Sequence, residues 1–242
     1  MRLDVALLER GLAPSRSKAK EMIQNGAVLQ NGAVITRPSE EVAETDELTV
    51  LPNDLQRYVG RGGLKLEGAL DEFGLSPEGH VCADIGASFG GFTHCLLTRG
   101  AQLVYAIDSG RNQLHPSLRE NDAVVVMEET NARYLRPEDF DPPVSFAVMD
   151  VSFISQTLLH ERVYAILSSG GIFISLIKPQ FEVGRGGLSK QGIVRNERLR
   201  NDAIRSVTKS AESFGFVLKN VISSPIAGGD GNKEFLAYFI KP

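Results

Sequence analysis

The spacing of apolar residues divides this chain in two. Leu3, Ala6, Leu7 and Leu8 recur with the period of one helix face, and Gly11 stands where a left-handed residue would end that helix. Ser15 is placed to cap a second helix over 16–24, closed by Asn25-Gly26. Val28 and Val34 flank Asn31-Gly32, which is a hairpin signal, and 48–51 reads as a further short strand. The order helix, helix, hairpin, strand predicts a small α+β unit.

From Pro52 to Arg61 the chain is polar, and glycines at 60, 62 and 63 predict a flexible or tightly turned joint. A helix is predicted over 64–73. Beyond it, strands (81–85, 103–108, 124–127, 145–150, 172–177, 216–223 and 234–240) alternate with helices (92–98, 114–120, 158–167 and 196–213). This alternation predicts an α/β fold, doubly wound around a mostly parallel Rossmann-like sheet. The last two strands have no helix between them, which predicts one antiparallel strand at an edge. The expected division is a small unit over 1–59 and a larger one over 60–242.

Composition narrows the picture without supplying a function. Of the 242 residues, 42% are hydrophobic, enough for a packed core and against wholesale disorder. The formal net charge of -4 gives no global support for nucleic-acid binding, so local patches must carry any such role. Cys82 and Cys95 fall in a predicted strand and helix and read as reduced core thiols, which fits the cytoplasm. The four histidines, at 80, 94, 115 and 160, show no ligand spacing, and no metal is expected. The first residues lack the apolar core of a signal peptide, and no stretch approaches the ~20 apolar residues of a membrane helix. Stable membrane association is therefore not expected, and nothing in the sequence points to an oligomeric state.

The first strand of the larger unit runs into Asp84-Ile85-Gly86-Ala87-Ser88-Phe89-Gly90-Gly91-Phe92-Thr93. Glycine-rich turns after a first strand bind ligands in doubly wound folds. The dinucleotide spacing G-x-G-x-x-G is absent, and the pattern is D-x-G-x-x-x-G-G. A carboxylate at Asp84 would repel a pyrophosphate but suits the ammonium of a methionine moiety. Gly86, Gly90 and Gly91 let the backbone approach a ligand, and the helix start near Phe92 can receive a carboxylate. Asp108, at the end of the second strand, can accept both hydroxyls of a ribose. Together these residues point to S-adenosylmethionine.

Asp150-Val151-Ser152-Phe153 closes the next central strand without the Pro-Pro of amine methyltransferases, which argues against transfer to a base amino nitrogen. Lys178 directly follows a buried strand, where desolvation disfavours a charged ammonium and makes a lysine a candidate base for a hydroxyl proton. Lys65 and Glu234, read alone, are solvated surface charges. The loop 184–192, with Arg185 and Lys190 among glycines, reads equally as a mobile basic lid, an RNA-contact loop or a plain loop.

In combination these motifs resemble the TlyA, or haemolysin A, group of rRNA 2′-O-ribose methyltransferases, and more distantly the FtsJ-like methyltransferase fold. The resemblance rests on Arg61 to Leu66, Asp84 to Thr93, Thr130 to Arg133, Asp150 to Ser155, Lys178 to Gly184 and Gly231 to Phe235, and it runs almost end to end. It implies a catalytic tetrad of Lys65, Asp150, Lys178 and Glu234, with Lys178 as base. It implies cofactor contacts that also include Thr93, Asn131 and Asp150. It implies that the N-terminal unit is an RNA-binding domain of the ribosomal protein S4 type, with Arg2, Arg10, Ser15, Arg16, Ser17, Lys18 and Lys20 on its RNA side and Arg185 adding to them. The implied partner is ribosomal RNA or a ribosomal subunit, and the implied nucleotide a cytidine. Two rival readings are an RNA-binding ribosome-assembly factor without catalysis, and a membrane-acting haemolysin, for which no inserting element is visible.

Overall fold

The stripe of Leu3, Ala6 and Leu7 is buried on one face of α1 (Leu3–Glu9), packed against Ala19 and Ile23 of α2 (Arg16–Gln24). The same cluster takes in Val28 from β1 (Val28–Gln30), which pairs antiparallel with β2 (Ala33–Ile35) and β3 (Leu48–Val50) in the order β2-β1-β3. Asn31 and Gly32 take φ values of 52° and 81°, the left-handed conformations that a two-residue hairpin turn requires. The computed structural model describes residues 1–24, 27–50, 57–228 and 231–242. The helix-closing Asn25-Gly26, the strand end at Leu51 and the connector over 52–56 lie outside the described residues. The chain forms two units, Met1–Arg57 and Tyr58–Pro242.

In the second unit α3 (Gly62–Phe73) begins two residues earlier than the sequence suggests. Gly62 and Gly63 are its first turn, not a flexible joint. The reason is tertiary: a Cβ on Gly63 would lie 2.3 Å from Tyr58 Cγ, and one on Gly91 would lie 3.0 Å from the Gly63 nitrogen. These glycines let the starts of α3 and α4 (Gly91–Thr98) touch backbone to backbone.

The remaining elements are β4 (Val81–Ile85), β5 (Leu103–Ile107), α5 (Pro116–Arg119), β6 (Val124–Met127), β7 (Val144–Met149), α6 (His160–Ile166), β8 (Leu167–Ile177), α7 (Glu197–Ser213), β9 (Val217–Ser223) and β10 (Phe235–Ile240). Among the described residues the sheet order is β6-β5-β4-β7-β8-β10-β9. Strands β6 through β8 are parallel, and β10 runs antiparallel to both β8 and β9. The antiparallel edge is thus present, with the reversed strand one place in from outermost β9. All five residues of β4 are buried because both faces are covered. Ala83 and Ile85 face one apolar cluster, and Cys82 faces the other with Cys95. Both thiols are free, and burial pushes both well up from the usual cysteine value.

Two predicted helices are shorter than their apolar spacing suggested. Pro116 fixes the start of α5, where the His115 side chain accepts a hydrogen bond from the Ser117 amide. The segment expected as one helix over 158–167 opens as a 3-10 turn at Gln156–Leu158, capped by Ser155, before α6. Its last residue, Leu167, already belongs to β8.

Candidate active site

Strand β4 has β5 on one side and β7 on the other, so the topology reverses there. Open α/β sheets bind ligands outside the carboxyl ends of strands at such a point. The turn after β4 is pressed against β7. Gly86 has φ +87°, and a Cβ there would lie 2.5 Å from the Asp150 carbonyl oxygen. Gly90, with φ +95°, leaves no room either, since a Cβ would lie 2.3 Å from Leu118 Cδ1. A cavity of about 360 Å³ lies over these strand ends, lined by Gly86, Asp108, Gln113, Asn131, Asp150 and Phe153 among others. A second, of about 240 Å³, is lined by Gly62, Phe89, Gly91, Phe92 and Lys178 and shares Gly86, Ser88, Asp150 and Ser152 with the first.

Asp84 is fully buried, and Thr93 Oγ1 donates to its Oδ2 at 2.6 Å. Its Oδ1 is buried without a partner. Burial pushes the Asp84 carboxyl up to about 7; the Thr93 hydrogen bond opposes this and the nearby Asp150 charge adds to it. The Asp108 carboxylate accepts from the Ser88 amide at 2.8 Å and the Gly110 amide at 2.7 Å, which fixes it at the cavity edge. Asn131 caps a 3-10 turn through a hydrogen bond from the Arg133 amide. Phe92 is buried in the first turn of α4, whose leading amides have no partners within the helix. An orphaned buried carboxylate oxygen, glycines pressed into the turn and an immobilised strand-end acid fit a ligand carrying an ammonium and a ribose diol.

Sequence reading missed one contributor. Glu128 accepts from the amides of Asn112, Gln113 and Leu114 and from Arg119, and so holds the loop that presents Gln113 to the larger cavity. The Arg119 guanidinium and these amides hold its carboxyl down at about 2. The available signal was an acid directly after an apolar strand, the same position that Asp108 and Asp150 occupy.

The structure brings the four charged residues together as two pairs. Lys178 Nζ lies 2.5 Å from Asp150 Oδ1, a close ion contact without hydrogen-bond alignment, and donates to Ser152 Oγ at 2.9 Å. Lys65 Nζ donates to Glu234 Oε2 at 2.6 Å. Lys65 and Glu234 are buried, which corrects the reading of each as a solvated surface charge. Helix α3 carries Lys65 one turn after Gly62, and a Cβ on Gly62 would lie 3.9 Å from Asp150 Oδ2. Gln180 Nε2 reaches Glu234 Oε1 at 3.4 Å. Phe153, beside this cluster, holds a left-handed backbone (φ 64°) and is 92% exposed, with its ring 5.2 Å from Phe181. Bulky residues rarely hold that conformation, and here it sets the ring in solvent.

In the first unit Arg2 and Arg16 both donate to Asp4, which is fully buried. Arg10 is exposed, and its terminal nitrogens donate to the carbonyls of Ala43, Glu44 and Asp46. Ser15 Oγ accepts from the Lys18 amide and caps α2, while Ser17 and Lys20 are exposed and Lys18 is half-buried. Arg185 opens a 3-10 turn in the second unit, and the loop it begins is pinned at its far end by Asn232, bonded to Gly192 and Val194. Among the described residues no group of three or more His, Cys, Asp or Glu could hold a metal ion, and no helix is long and apolar enough to cross a membrane.

Comparison with known proteins places this geometry. The family model described as FtsJ-like methyltransferase matches residues 58–241, and the S4 domain model matches residues 1–48. Hemolysin A of Brachyspira hyodysenteriae is 44% identical over 99% of this chain and 100% of its own length. The 16S/23S rRNA (cytidine-2′-O)-methyltransferase TlyA of Mycobacterium tuberculosis is 40% identical over 98% of this chain and 88% of its own. A solved structure from Streptococcus thermophilus, titled "Putative hemolysin", superposes with a TM-score of 0.79 at 45% identity, covering 100% of this chain and 88% of that one.

Proposed function

The chain belongs to the FtsJ-like methyltransferase family, with an S4 domain ahead of the methyltransferase unit, and from that premise we propose that it methylates a ribose 2′-hydroxyl of ribosomal RNA, at a cytidine, in the cytoplasm. The cofactor of this fold is S-adenosylmethionine, which would supply a methyl carbon made electrophilic by its sulfonium, with the neutral thioether as leaving group when the carbon–sulfur bond breaks. Asp84 Oδ1 would hold the ammonium, the start of α4 near Phe92 and Thr93 the carboxylate, and Asp108 the ribose hydroxyls. Asn131 lines the same cavity as Asp108.

The observation that carries the reading is Lys178 paired with Asp150 at the junction of the two cavities. A ribose hydroxyl is a poor nucleophile, and its proton must leave as the oxygen bonds to the methyl carbon. Lys178 in its amine form accepts that proton. Asp150 and Ser152 hold Nζ in place, and Asp150 stabilises the ammonium once formed. Lys65 and Glu234, a second buried ion pair, are the other two members of the implied tetrad. Carboxylates, with an ordinary value near ~4, are weak bases for this proton. Phe153 offers a face on which the target base can stack. Positioning the hydroxyl against the methyl supplies much of the remaining acceleration.

The N-terminal S4 domain delivers the RNA, with Arg2, Arg16, Ser17, Lys18 and Lys20 toward the backbone, and Arg185 adds to them from its loop in the catalytic unit. Arg10 and Ser15 support that surface from within. Labelled methyl transfer from S-adenosylmethionine to ribosomal subunits or naked rRNA tests the reading. Incorporation that needs Lys178 supports it. Tight rRNA binding with no incorporation on any substrate would favour the assembly-factor alternative.

A further inference from the structure

Asp4 sits in the first turn of α1 with none of its surface exposed, yet it carries a charge. Its Oδ1 accepts from Arg2 Nε at 2.9 Å, and its Oδ2 accepts from Arg16 Nε at 2.9 Å and Arg2 Nη2 at 3.3 Å. The two arginine side chains remain half open to solvent, at 47% and 51%. We propose that Asp4 is a positioning residue that sets Arg2 and Arg16 as one preorganised clamp for a phosphodiester of RNA. This deepens, and rests on, the reading of the N-terminal unit as RNA-binding.

Stability alone does not explain two guanidinium groups on one buried acid. Burying an ion pair costs about as much desolvation as it returns, and apolar replacements are often neutral or better. Orientation explains it. A guanidinium is planar, so holding its Nε edge fixes the direction of its Nη edge. Among the described residues Arg16 is held through Nε, which leaves both of its Nη groups for a ligand, and Arg2 keeps Nη1. The Arg2 backbone is fixed as well, by a bridge to Glu41. Two guanidinium charges around one carboxylate leave a net positive pole, and forked N–H donors match phosphate oxygens. The hydrogen bond from Arg2, with Arg16 helping, holds the Asp4 carboxyl down at about 2, so it stays charged throughout the neutral range. Arg10 serves as the contrast, since both of its terminal nitrogens are already given to backbone carbonyls.

The test measures binding of the full chain to an rRNA transcript across a salt series, with Asp4→Asn, Arg16→Lys and the double variant beside the unmodified protein. Arg16→Lys keeps the charge and sits on the surface, so it leaves folding intact even if Asp4→Asn does not. The clamp predicts roughly tenfold weaker binding for Arg16→Lys. It predicts a salt slope nearly unchanged in Arg16→Lys, which keeps the charge and loses only the fork, and a double variant no weaker than the worse single one. The effect falls on KM for rRNA, with cofactor affinity unmoved. Unchanged affinity in Arg16→Lys, or additive losses in the double variant, would overturn the clamp. An unmodified protein without salt-dependent rRNA binding would instead sink the RNA-binding reading beneath it.

Discussion

Lys65 and Glu234 stand 169 positions apart and meet in a 2.6 Å ion pair whose side chains are only 9% and 3% exposed. The pair ties the first turns of α3 to the residue that leads into β10. Its isolation from solvent gives it consequences that a surface pair would lack.

Removing one partner leaves the other charge buried and uncompensated. Glu234→Gln should therefore destabilise the second unit by about 3–5 kcal/mol, read as a lower denaturant midpoint. Adding Lys65→Met should recover much of that stability and none of the methyl transfer. Recovery of both would make the pair structural only.

Asp84 predicts a pH dependence. Its folded-state value of about 7 lies above the ordinary 3.8, so the folded protein holds a proton that the unfolded chain has released. Stability without cofactor should fall as pH rises from about 4 to about 7. Cofactor affinity should move the other way, because the ammonium requires the ionised carboxylate, and should rise about tenfold between about pH 6 and pH 8. Calorimetry on the protein and on Asp84→Asn checks this. The variant should bind weakly and lose the trend.

Phe153 should trade stability for function. Phe153→Gly relieves the left-handed strain while loosening the unfolded chain, so stability should change by less than about 1 kcal/mol. Methyl transfer to rRNA should nevertheless fall, by the roughly 1–3 kcal/mol that a base–aromatic stack contributes. Equal turnover in the glycine variant would remove the stacking role.

Lys178→Arg keeps the positive charge beside Asp150 but cannot release a proton in the neutral range. Transfer should drop by about 10²–10⁴-fold with cofactor binding retained. A variant that still turns over would mean position 178 supplies charge alone.

What the sequence made legible follows from which forces are local. The run at 81–85 and the glycines after it are features of one strand–turn–helix, and Asp108 ends the next strand, so the sheet and its glycine turn were legible from local pattern. The partners of charged residues are not local. Nothing near Lys65 or Glu234 announces the pairing, because the two stand 169 positions apart. The meeting of Arg2 and Arg16 on Asp4 likewise leaves no trace in the apolar spacing of α1 and α2. Gly62 and Gly63 suggested a joint because the approach of Tyr58 and Gly91 has no trace in the local pattern. Helices over 114–120 and 158–167 were overdrawn because apolar spacing outweighed Pro116 and the cap at Ser155.

The most direct test of the account is to find where the methyl group lands. Ribosomal RNA incubated with the protein and S-adenosylmethionine carrying a deuterated methyl would be digested to nucleosides and analysed by mass spectrometry. The account predicts label on the ribose of cytidine, at the 2′-oxygen, and its loss with Lys178→Arg. Label on a base, or label that survives the Lys178 variant, would contradict it.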